Sequence, residues 1–530
     1  MKYYPVRSFH LPKLAAAILI LIASAFPLVH AAAAENDGLV DRLSDSVENR
    51  LRPALQPVNT PALQWTLEER MKKHRIPGVS IAIIRDDAVV WARGYGEIEA
   101  GSGVKVDTDT VFSIGSLSKI GAAMTALRLV GEDALNLDTD VVEYLDKWQP
   151  PASKLSEGLP VTLRGLMSHT AGLGVHGFAD FLPGEPTPTT IQILNGTPPA
   201  KNAPVDFIYP PGSSSAYSGG GTTVTQLVIE ETTGLPFQKA TQELLFEPLG
   251  MARSTYENPL PATHGNIAKA HDTDGKVTAL PRGWHTFPET AASGLWTTPT
   301  DYARLVIALA KSYKGGTKTF LSQDLAIDVL TEVGGSPYGL GPRLAGAGLE
   351  RMFGHTGANE AYKAVFEYYP ERGEGVVIFT NGANGSSLRR EILFAVADAL
   401  AWSNHRQRRT IDTDKVLQSL DNFAGEYVAV SDPSNASAQR AVFSRPRRYI
   451  ISRKTDSISL GSVQLIDGGE SIVRKETVLP IAPSTFVTTD GETSIEFISD
   501  AFGSVTGFAL KRAGNVAVFS KSDEAPVPQE

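Results

Sequence analysis

Short β-forming runs occur near both ends of the first 400 residues. Val79–Ile84 and Ala88–Tyr95 are joined through two adjacent aspartates, a combination that predicts a β-hairpin. Similar runs return at Lys363–Tyr369 and Gly375–Thr380, and Leu388–Trp402 has the spacing of an amphipathic helix. The residues between these two regions are rich in helical segments and in Pro/Gly loops.

This order of strands, helices, strands and a final helix predicts an α+β fold. One antiparallel sheet would be assembled from both ends of a domain and flanked by helices, with a helical insertion between its two parts. The insertion contains two loop-like stretches, Gly174–Asn202 and Tyr256–Glu289.

The pattern changes at about Leu420, after which short β-type runs alternate with turn residues. Regular short strands of this kind predict a small all-β barrel or sandwich, and no helix is predicted there. The runs are Ala441–Ser444, Tyr449–Ser452, Ser457–Leu460, Val463–Ile466, Thr493–Ile498, Val505–Leu510 and Val516–Phe519.

The first 34 residues have the pattern of a secretory signal peptide. Lys2, Arg7 and Lys13 precede an apolar run from Leu14 to Phe26, and small residues follow. This run is short for a membrane span, which needs about 20 residues. We therefore expect a periplasmic or secreted protein without stable membrane insertion after cleavage, although an uncleaved anchor is the alternative.

The composition of the chain argues against several classes of ligand and of catalytic group. The 530 residues have a formal net charge of −9, so no electrostatic footprint for nucleic acid is present. Cysteine is absent, which excludes disulfides, thiolate nucleophiles and cysteine metal sites. His264, His271 and His285 are spaced like loop residues, and no His-Glu-x-x-His motif occurs. The sequence therefore predicts neither a metal nor a cofactor.

The segment Phe112–Lys119 carries the first candidate for catalysis. Lys119 follows Ser116 by three residues, so on a helix the two side chains would share one face. A desolvated lysine can take the proton of a serine hydroxyl, and a helix N-terminus favours the developing oxyanion. The motif alone is weak, because a capping serine followed by a surface lysine has the same pattern.

Two further segments strengthen this candidate. Tyr217 is followed by Ser218 and three glycines, and a helical run comes next. A tyrosine held on such a loop could shuttle a proton between Ser116 and a leaving group. Later, His355-Thr356-Gly357-Ala358 stands just before the returning β-runs. A glycine at such a place would let a substrate backbone approach closely, and a nearby N–H can serve an oxyanion.

In this order the motifs resemble the serine β-lactamase and penicillin-binding-protein family. The branch is that of class C β-lactamases, D,D-carboxypeptidases, D-aminopeptidases and family VIII esterases. The resemblance covers roughly residues 60–400. Four further stretches are similar in sequence to the family: Leu166–Leu173, Leu245–Met251, Gly294–Asp301 and Val377–Asn381.

The resemblance implies a role for each motif residue. Ser116 would be the acylated nucleophile, Lys119 its base and Tyr217 a proton shuttle. His355, Thr356 and Gly357 would line the site, and the N–H groups of Ser116 and Ala358 would form the oxyanion hole. His169, also at a frequent family position, is interpreted as structural.

Two departures from the family pattern bear on specificity. The second motif usually ends in Asn, which helps to hold the lysine and the substrate amide, but this chain has Gly219. The third motif is often Lys-Thr-Gly, whose cation pairs with a substrate carboxylate. His355 is largely neutral near pH 7 and weakens that anchor.

With these motifs, the expected domains are a signal peptide (1–34), a lead-in arm with a short helix (35–60), a β-lactamase-like catalytic domain (61–403), a charged linker (404–419) and an all-β domain (420–530). The last resembles, vaguely, the barrels appended to D-aminopeptidase-like proteins, and would cap the cleft, set substrate length or mediate assembly.

The favoured function is a serine peptidase or amidase on small peptides, which can contain D-amino acids. The histidine in the third motif moves the prediction away from dedicated β-lactamases. An esterase is the first alternative, followed by a β-lactamase or D,D-carboxypeptidase. A protein that binds cell-wall fragments or assembles without hydrolysis is the alternative from another class. The sequence does not predict an oligomeric state.

Overall fold

A computed structural model gives the fold. It describes residues 38–57, 61–403, 409–411, 417–430, 448–454, 457–466, 469–488, 491, 493–500, 502–512 and 515–522. The expected signal peptide and the run Ala441–Ser444 lie outside these ranges. Within them, no helix has both the length and the apolar character that a bilayer crossing requires.

The helices of the described ranges are numbered in chain order. They are α1 (38–49), α2 (Leu67–His74), α3 (Ser118–Gly131), α4 (Leu163–Met167), α5 (Thr190–Asn195), α6 (Gly219–Thr233), α7 (Phe237–Thr241), α8 (Glu247–Leu249), α9 (Thr290–Ser293), α10 (Pro299–Lys314), α11 (Gln323–Val329) and α12 (Gly385–Ala399).

The strands follow the same convention. They are β1 (Leu55–Pro57), β2 (Gly78–Arg85), β3 (Ala88–Gly96), β4 (Phe112–Ser113), β5 (Trp296–Thr297), β6 (Arg343–Ala345), β7 (Met352–Ala358), β8 (Lys363–Tyr369), β9 (Glu374–Thr380), β10 (Arg409–Ile411), β11 (Gly425–Ala429), β12 (Arg448–Arg453), β13 (Ile458–Ile466), β14 (Gly469–Ala482), β15 (Thr485–Thr488), β16 (Thr493–Ser499), β17 (Val505–Arg512) and β18 (Asn515–Lys521).

Six strands form the central antiparallel sheet in the order β3-β2-β9-β8-β7-β6. Strand β2 pairs directly with β9, so that Val79 lies opposite Thr380. The two ends of this region therefore build one sheet, and the predicted α+β fold is confirmed.

The hairpin that starts the sheet has the turn its sequence predicts. Asp86 and Asp87 have φ values of 52° and 55° between β2 and β3. A two-residue hairpin turn with positive φ at both positions has the twist that suits antiparallel strands, and Asp tolerates it better than most residues.

Both faces of the sheet are covered. Along β9, Val377 and Phe379 belong to the core shared with α3 and α10, whereas Val376 and Ile378 belong to the core shared with α1, α2 and α12. This alternation follows from the two-residue period of a strand. Because neither face meets water, β2 is buried along its length up to Arg85.

The C-terminal strands β11–β18 close into a barrel, so of the two predicted forms the barrel is the correct one. Closure comes from the antiparallel pairing of β11 with β18. The runs predicted separately at Ser457–Leu460 and Val463–Ile466 belong to one strand, β13. A 3₁₀ helix at Leu417–Phe423 precedes the barrel, where no helix was expected.

The segments that precede and follow the region of the central sheet are paired with each other. Strand β1, from the expected lead-in arm, pairs in parallel with β10, which falls inside the expected linker. The expected linker therefore contains a strand. Beside this pair, Val487 and Leu479 of the barrel pack against Leu55 and Phe394, the latter on α12.

One buried ion pair joins α2 to α12. Arg70 donates two hydrogen bonds to Glu391, of 2.5 and 2.8 Å, and stacks over Trp65. We expect Glu391→Gln to destabilise the region of the central sheet by about 3–5 kcal/mol, because it leaves the Arg70 charge buried without a counter-ion.

Calorimetric unfolding of the full chain checks this expectation. Asp274→Asn, which breaks the exposed pair between Asp274 and Arg75, is the matched control and should leave the transition nearly unchanged. Equal shifts in both variants would contradict the assignment of Arg70–Glu391 as a structural pair.

Candidate active site

Ser116 lies in a 3₁₀ turn, Gly115–Leu117, immediately before α3. The Ser118 hydroxyl fixes this turn by donating to the Gly115 carbonyl at 2.6 Å and accepting from the Leu295 N–H at 2.9 Å. Gly115 has a φ of +53°, a conformation that costs glycine little. The partly exposed Ser116 side chain is thus presented at the N-terminal end of a 14-residue helix.

Lys119 reaches Ser116 from one turn along α3, as the three-residue spacing predicts. Its Nζ is 3.4 Å from Ser116 Oγ and donates to the Ala292 carbonyl at 2.7 Å. The residue is only 6 % exposed. Burial lowers the pKa of Lys119 to about 7. Near neutral pH a large fraction of this amine is therefore uncharged and able to accept a proton.

Tyr217 lies directly ahead of α6, whose N-cap is Ser218. Its ring centroid is 5.0 Å from Lys119 Nζ. The hydroxyl is buried and makes no hydrogen bond of good geometry to any described residue, although the Ser116 hydroxyl is close enough to stabilise its ionised form. Burial outweighs that effect and raises the pKa of Tyr217, so the phenol keeps its proton at neutral pH.

His169 holds the Tyr217 loop in place, in line with its structural interpretation. Its Nδ1 accepts from the Ser218 N–H at 3.2 Å, and its ring centroid is 4.4 Å from that of Tyr217. Its carbonyl accepts from the Ala216 N–H at 3.0 Å and from the Tyr209 hydroxyl at 2.9 Å. Burial holds the pKa of His169 well below its usual value, so the ring is neutral.

Strand β7 brings His355 to the other side of Tyr217, with 5.8 Å between ring centroids. His355 Nδ1 lies 2.8 Å from the Thr356 carbonyl, to which it must donate, and Nε2 is buried without a partner among the described residues. Burial, with the nearby Lys119 charge, lowers the pKa of His355 to about 4. This ring is therefore neutral at pH 7, while Thr356 is exposed.

The turn that carries Ser116 packs tightly against β7. A Cβ at Gly357 would lie 1.8 Å from the Ile114 carbonyl oxygen, and one at Gly115 would lie 2.9 Å from the Ala358 nitrogen. The absence of a side chain at Gly357 thus allows the backbone before Ser116 to approach β7. The sequence suggested instead that a substrate backbone approaches here. The approach also brings the Ala358 backbone beside Gly115, next to Ser116.

Three neighbours of the site had no clear signal in the sequence. Ala292 contributes only a backbone carbonyl, which no side-chain motif reveals, although the family-like stretch Gly294–Asp301 begins two residues later. The rings of His176 and Tyr338 lie 5.0 and 5.7 Å from that of Tyr217. Both belong to loops whose course could not be predicted.

Two further histidines of the insertion, His271 and His264, have local structural contacts, whereas Nδ1 of His285 is buried without a hydrogen-bond partner among the described residues. His271 accepts from the Ala100 N–H at 3.1 Å and pairs through Nδ1 with the Asn381 carbonyl at 2.9 Å. His264 lies 3.3 Å from the Arg253 carbonyl. In the part of the chain that the structure describes, no three His, Asp or Glu side chains are grouped to hold a metal ion.

The lowered pKa of Lys119 predicts how the reactivity of Ser116 depends on pH. Phosphonylation of Ser116 by a small fluorophosphonate should rise with pH and level off above about 7, because only the uncharged amine can take the serine proton. Lys119→Met should lower the plateau rate by about 10²-fold or more. Mass spectrometry of the intact protein from pH 5 to 9 measures both effects. Lys72→Met, on α2, is the control; a Lys119→Met rate equal to it would contradict the role of base.

Comparison with known proteins points to one family. A family profile described as Beta-lactamase matches residues 63–401, more than half of the chain. The octameric penicillin-binding protein homologue from Pyrococcus abyssi superposes with a TM-score of 0.54 at 20 % identity, over 85 % of this chain and 98 % of that one. At this identity the likeness establishes the fold.

Curated relatives are similar over shorter stretches. Esterase EstB from Burkholderia gladioli is 26 % identical over 239 residues, 42 % of this chain and 59 % of that protein. The D-alanyl-D-alanine-carboxypeptidase/endopeptidase AmpH from Escherichia coli K12 is 26 % identical over 264 residues, 47 % of this chain and 63 % of that protein. The chain thus spans less than two thirds of either relative. Together with the profile match over the whole region that contains Ser116, Lys119, Tyr217 and His355, these likenesses establish that the chain belongs to the β-lactamase family of serine hydrolases.

Proposed function

We propose that this protein is a serine hydrolase that works through an acyl-enzyme at Ser116, with Lys119 as the general base. The observation that carries the proposal is the 3.4 Å separation between Lys119 Nζ and Ser116 Oγ, combined with a pKa of about 7 for the amine. A base whose pKa matches the working pH is the most effective proton acceptor.

The steps follow from this arrangement. Ser116 Oγ attacks the carbonyl carbon of the substrate while Lys119 accepts its proton. The N–H groups of Ser116 and Ala358 stabilise the negative oxygen of the tetrahedral intermediate. When the bond to the leaving group breaks, Tyr217 donates its proton to that group and is reprotonated from Lys119. Water then attacks the acyl carbon while Lys119 accepts a proton from it. As the bond from this carbon to Ser116 Oγ breaks, Lys119 returns the proton to Oγ, and the carboxylic acid is released.

The substrate class that we favour is a small peptide or amide, which can contain D-amino acids. A leaving amine must be protonated as it departs, and Tyr217 keeps its proton at neutral pH because of burial. The neutral His355 offers no cation to a substrate carboxylate, which argues against a dedicated D,D-carboxypeptidase or β-lactamase. Thr356, which is exposed on the same strand, would line this wall of the cleft.

Ester hydrolysis is the second candidate. Gly219 lacks the carboxamide that the family motif uses to hold a substrate amide, and an ester does not need it. The similarity to Esterase EstB also supports ester hydrolysis.

We also infer export. The support is the sequence of the first 34 residues, in which three cationic residues precede an apolar run and small residues follow.

An acyl-enzyme can be detected by pre-steady-state release of p-nitrophenol from p-nitrophenyl acetate. We expect a burst stoichiometric with the protein, because acylation of Ser116 precedes slower hydrolysis. Ser116→Ala should abolish the burst. The control is Ser213→Ala on an exposed loop, which should keep it. Ser118→Ala is less suitable as a control, because Ser118 fixes the turn that carries Ser116. Equal traces from wild type and Ser116→Ala would refute hydrolysis at this site and favour the cell-wall-fragment-binding alternative.

The role of Tyr217 is tested by the leaving group. Tyr217→Phe should slow the hydrolysis of a D-alanine p-nitroanilide by about 10²–10⁴-fold, the usual effect of a positioned proton donor. The matching p-nitrophenyl ester should be affected less, since p-nitrophenolate leaves without protonation. Steady-state kcat for the two substrates measures the difference, and equal losses on both would argue against proton donation by Tyr217.

A further inference from the structure

At Gly219 there is no room for a side chain, because the loop with His176 and Phe178 lies beside it. It is the first residue of α6, and its φ is outside the left-handed region, so the backbone does not require glycine. A Cβ at this position would lie 2.8 Å from Phe178 Cε2 and 3.2 Å from the His176 carbonyl oxygen. The space into which a side chain of residue 219 would point is therefore taken by the loop that contains Phe178.

This loop is bound tightly to the start of α6. The Val175 carbonyl accepts from the N–H groups of Gly219 and Gly220 at 2.9 and 3.0 Å, and the Ser218 hydroxyl donates to the Gly174 carbonyl at 2.7 Å. Val175 adopts a φ of 61°, which is rare and strained for a β-branched residue. The contacts with α6 outweigh this strain.

The same loop is fastened at its far end as well. The Asp180 carboxylate accepts from the Glu360 N–H at 2.9 Å, just after β7. Phe181 and Thr286 exchange two backbone hydrogen bonds, of 3.1 and 2.8 Å. With both ends held, the segment between them keeps Phe178 against Gly219 and the His176 ring 5.0 Å from that of Tyr217.

We propose that Phe178 forms an apolar wall that receives the acyl group of the substrate, so that the protein prefers aliphatic acyl groups without an acylamino substituent. Among peptides, this preference selects the first peptide bond, whose acyl residue carries a free amine. This inference rests on the proposed acyl-enzyme at Ser116. The wall stands where the family motif would present a carboxamide, and an aromatic ring offers no hydrogen bond to a substrate amide. A buried amide left without a partner is disfavoured, whereas methylene groups gain contact with the ring.

Three p-nitrophenyl esters with the same leaving group test the proposal: the acetate, the butyrate and the N-acetylglycinate. Wild-type protein should hydrolyse the butyrate with a kcat/KM at least about tenfold above that of the N-acetylglycinate. Phe178→Ala should lower kcat/KM for the butyrate about tenfold more than that for the acetate, in the range expected for lost methylene contacts in an apolar pocket.

The controls separate fold, function and specificity. A circular dichroism spectrum and a thermal transition equal to those of wild type show that Phe178→Ala is folded. Phe178→Leu should retain most of the butyrate preference. Phe502→Ala, which removes a phenylalanine that is 95 % exposed on the barrel, should match wild type. An unaltered butyrate-to-acetate ratio in Phe178→Ala would overturn the apolar wall while the proposed function stands. Absence of any burst from wild type on the acetate would overturn both.

Discussion

The chemistry of this site depends on keeping one amine away from water and from anions. Lys119 is 6 % exposed, and its hydrogen bonds in the described structure go to the Ser116 hydroxyl and the Ala292 carbonyl. A carboxylate at this distance would favour the charged form of Lys119, which could then no longer act as the proposed base. Burial alone lowers the pKa, and the partial charge that remains also lowers the pKa values of His169 and His355.

The second requirement is that two distant parts of the chain meet at van der Waals distance. The turn that carries Ser116 belongs to the helical insertion, whereas β7 belongs to the sheet, and the glycines at 115 and 357 let their backbones touch. Even one methyl group at Gly357 would have to displace the Ile114 carbonyl. Ser116, the proposed nucleophile, is therefore positioned by backbone packing, and the side chains around it are free to determine proton transfer and specificity.

The features that could be predicted from the sequence are those that depend on local periodicity or on a fixed spacing of residues. The hairpin at Asp86–Asp87 and the meeting of Ser116 with Lys119 follow from such short-range rules. The barrel was predicted only as one of two forms, because strand-like runs do not reveal that β11 pairs with β18. Contacts that involve a backbone carbonyl, such as that of Ala292, or a ring on an irregular loop, such as Phe178, leave no periodic signal and required the structure.

The pairing of β2 with β9 also has a consequence for biosynthesis. About 290 residues separate the end of β2 from the start of β9. At a synthesis rate of about 5–20 residues per second, the hairpin of β2 and β3 waits about 15–60 s for its neighbour in the sheet. During that interval β2, which is apolar and buried on both faces in the folded state, has an open edge. Sheet completion across such a sequence separation is slow, and the newly made hairpin is exposed to aggregation during that interval.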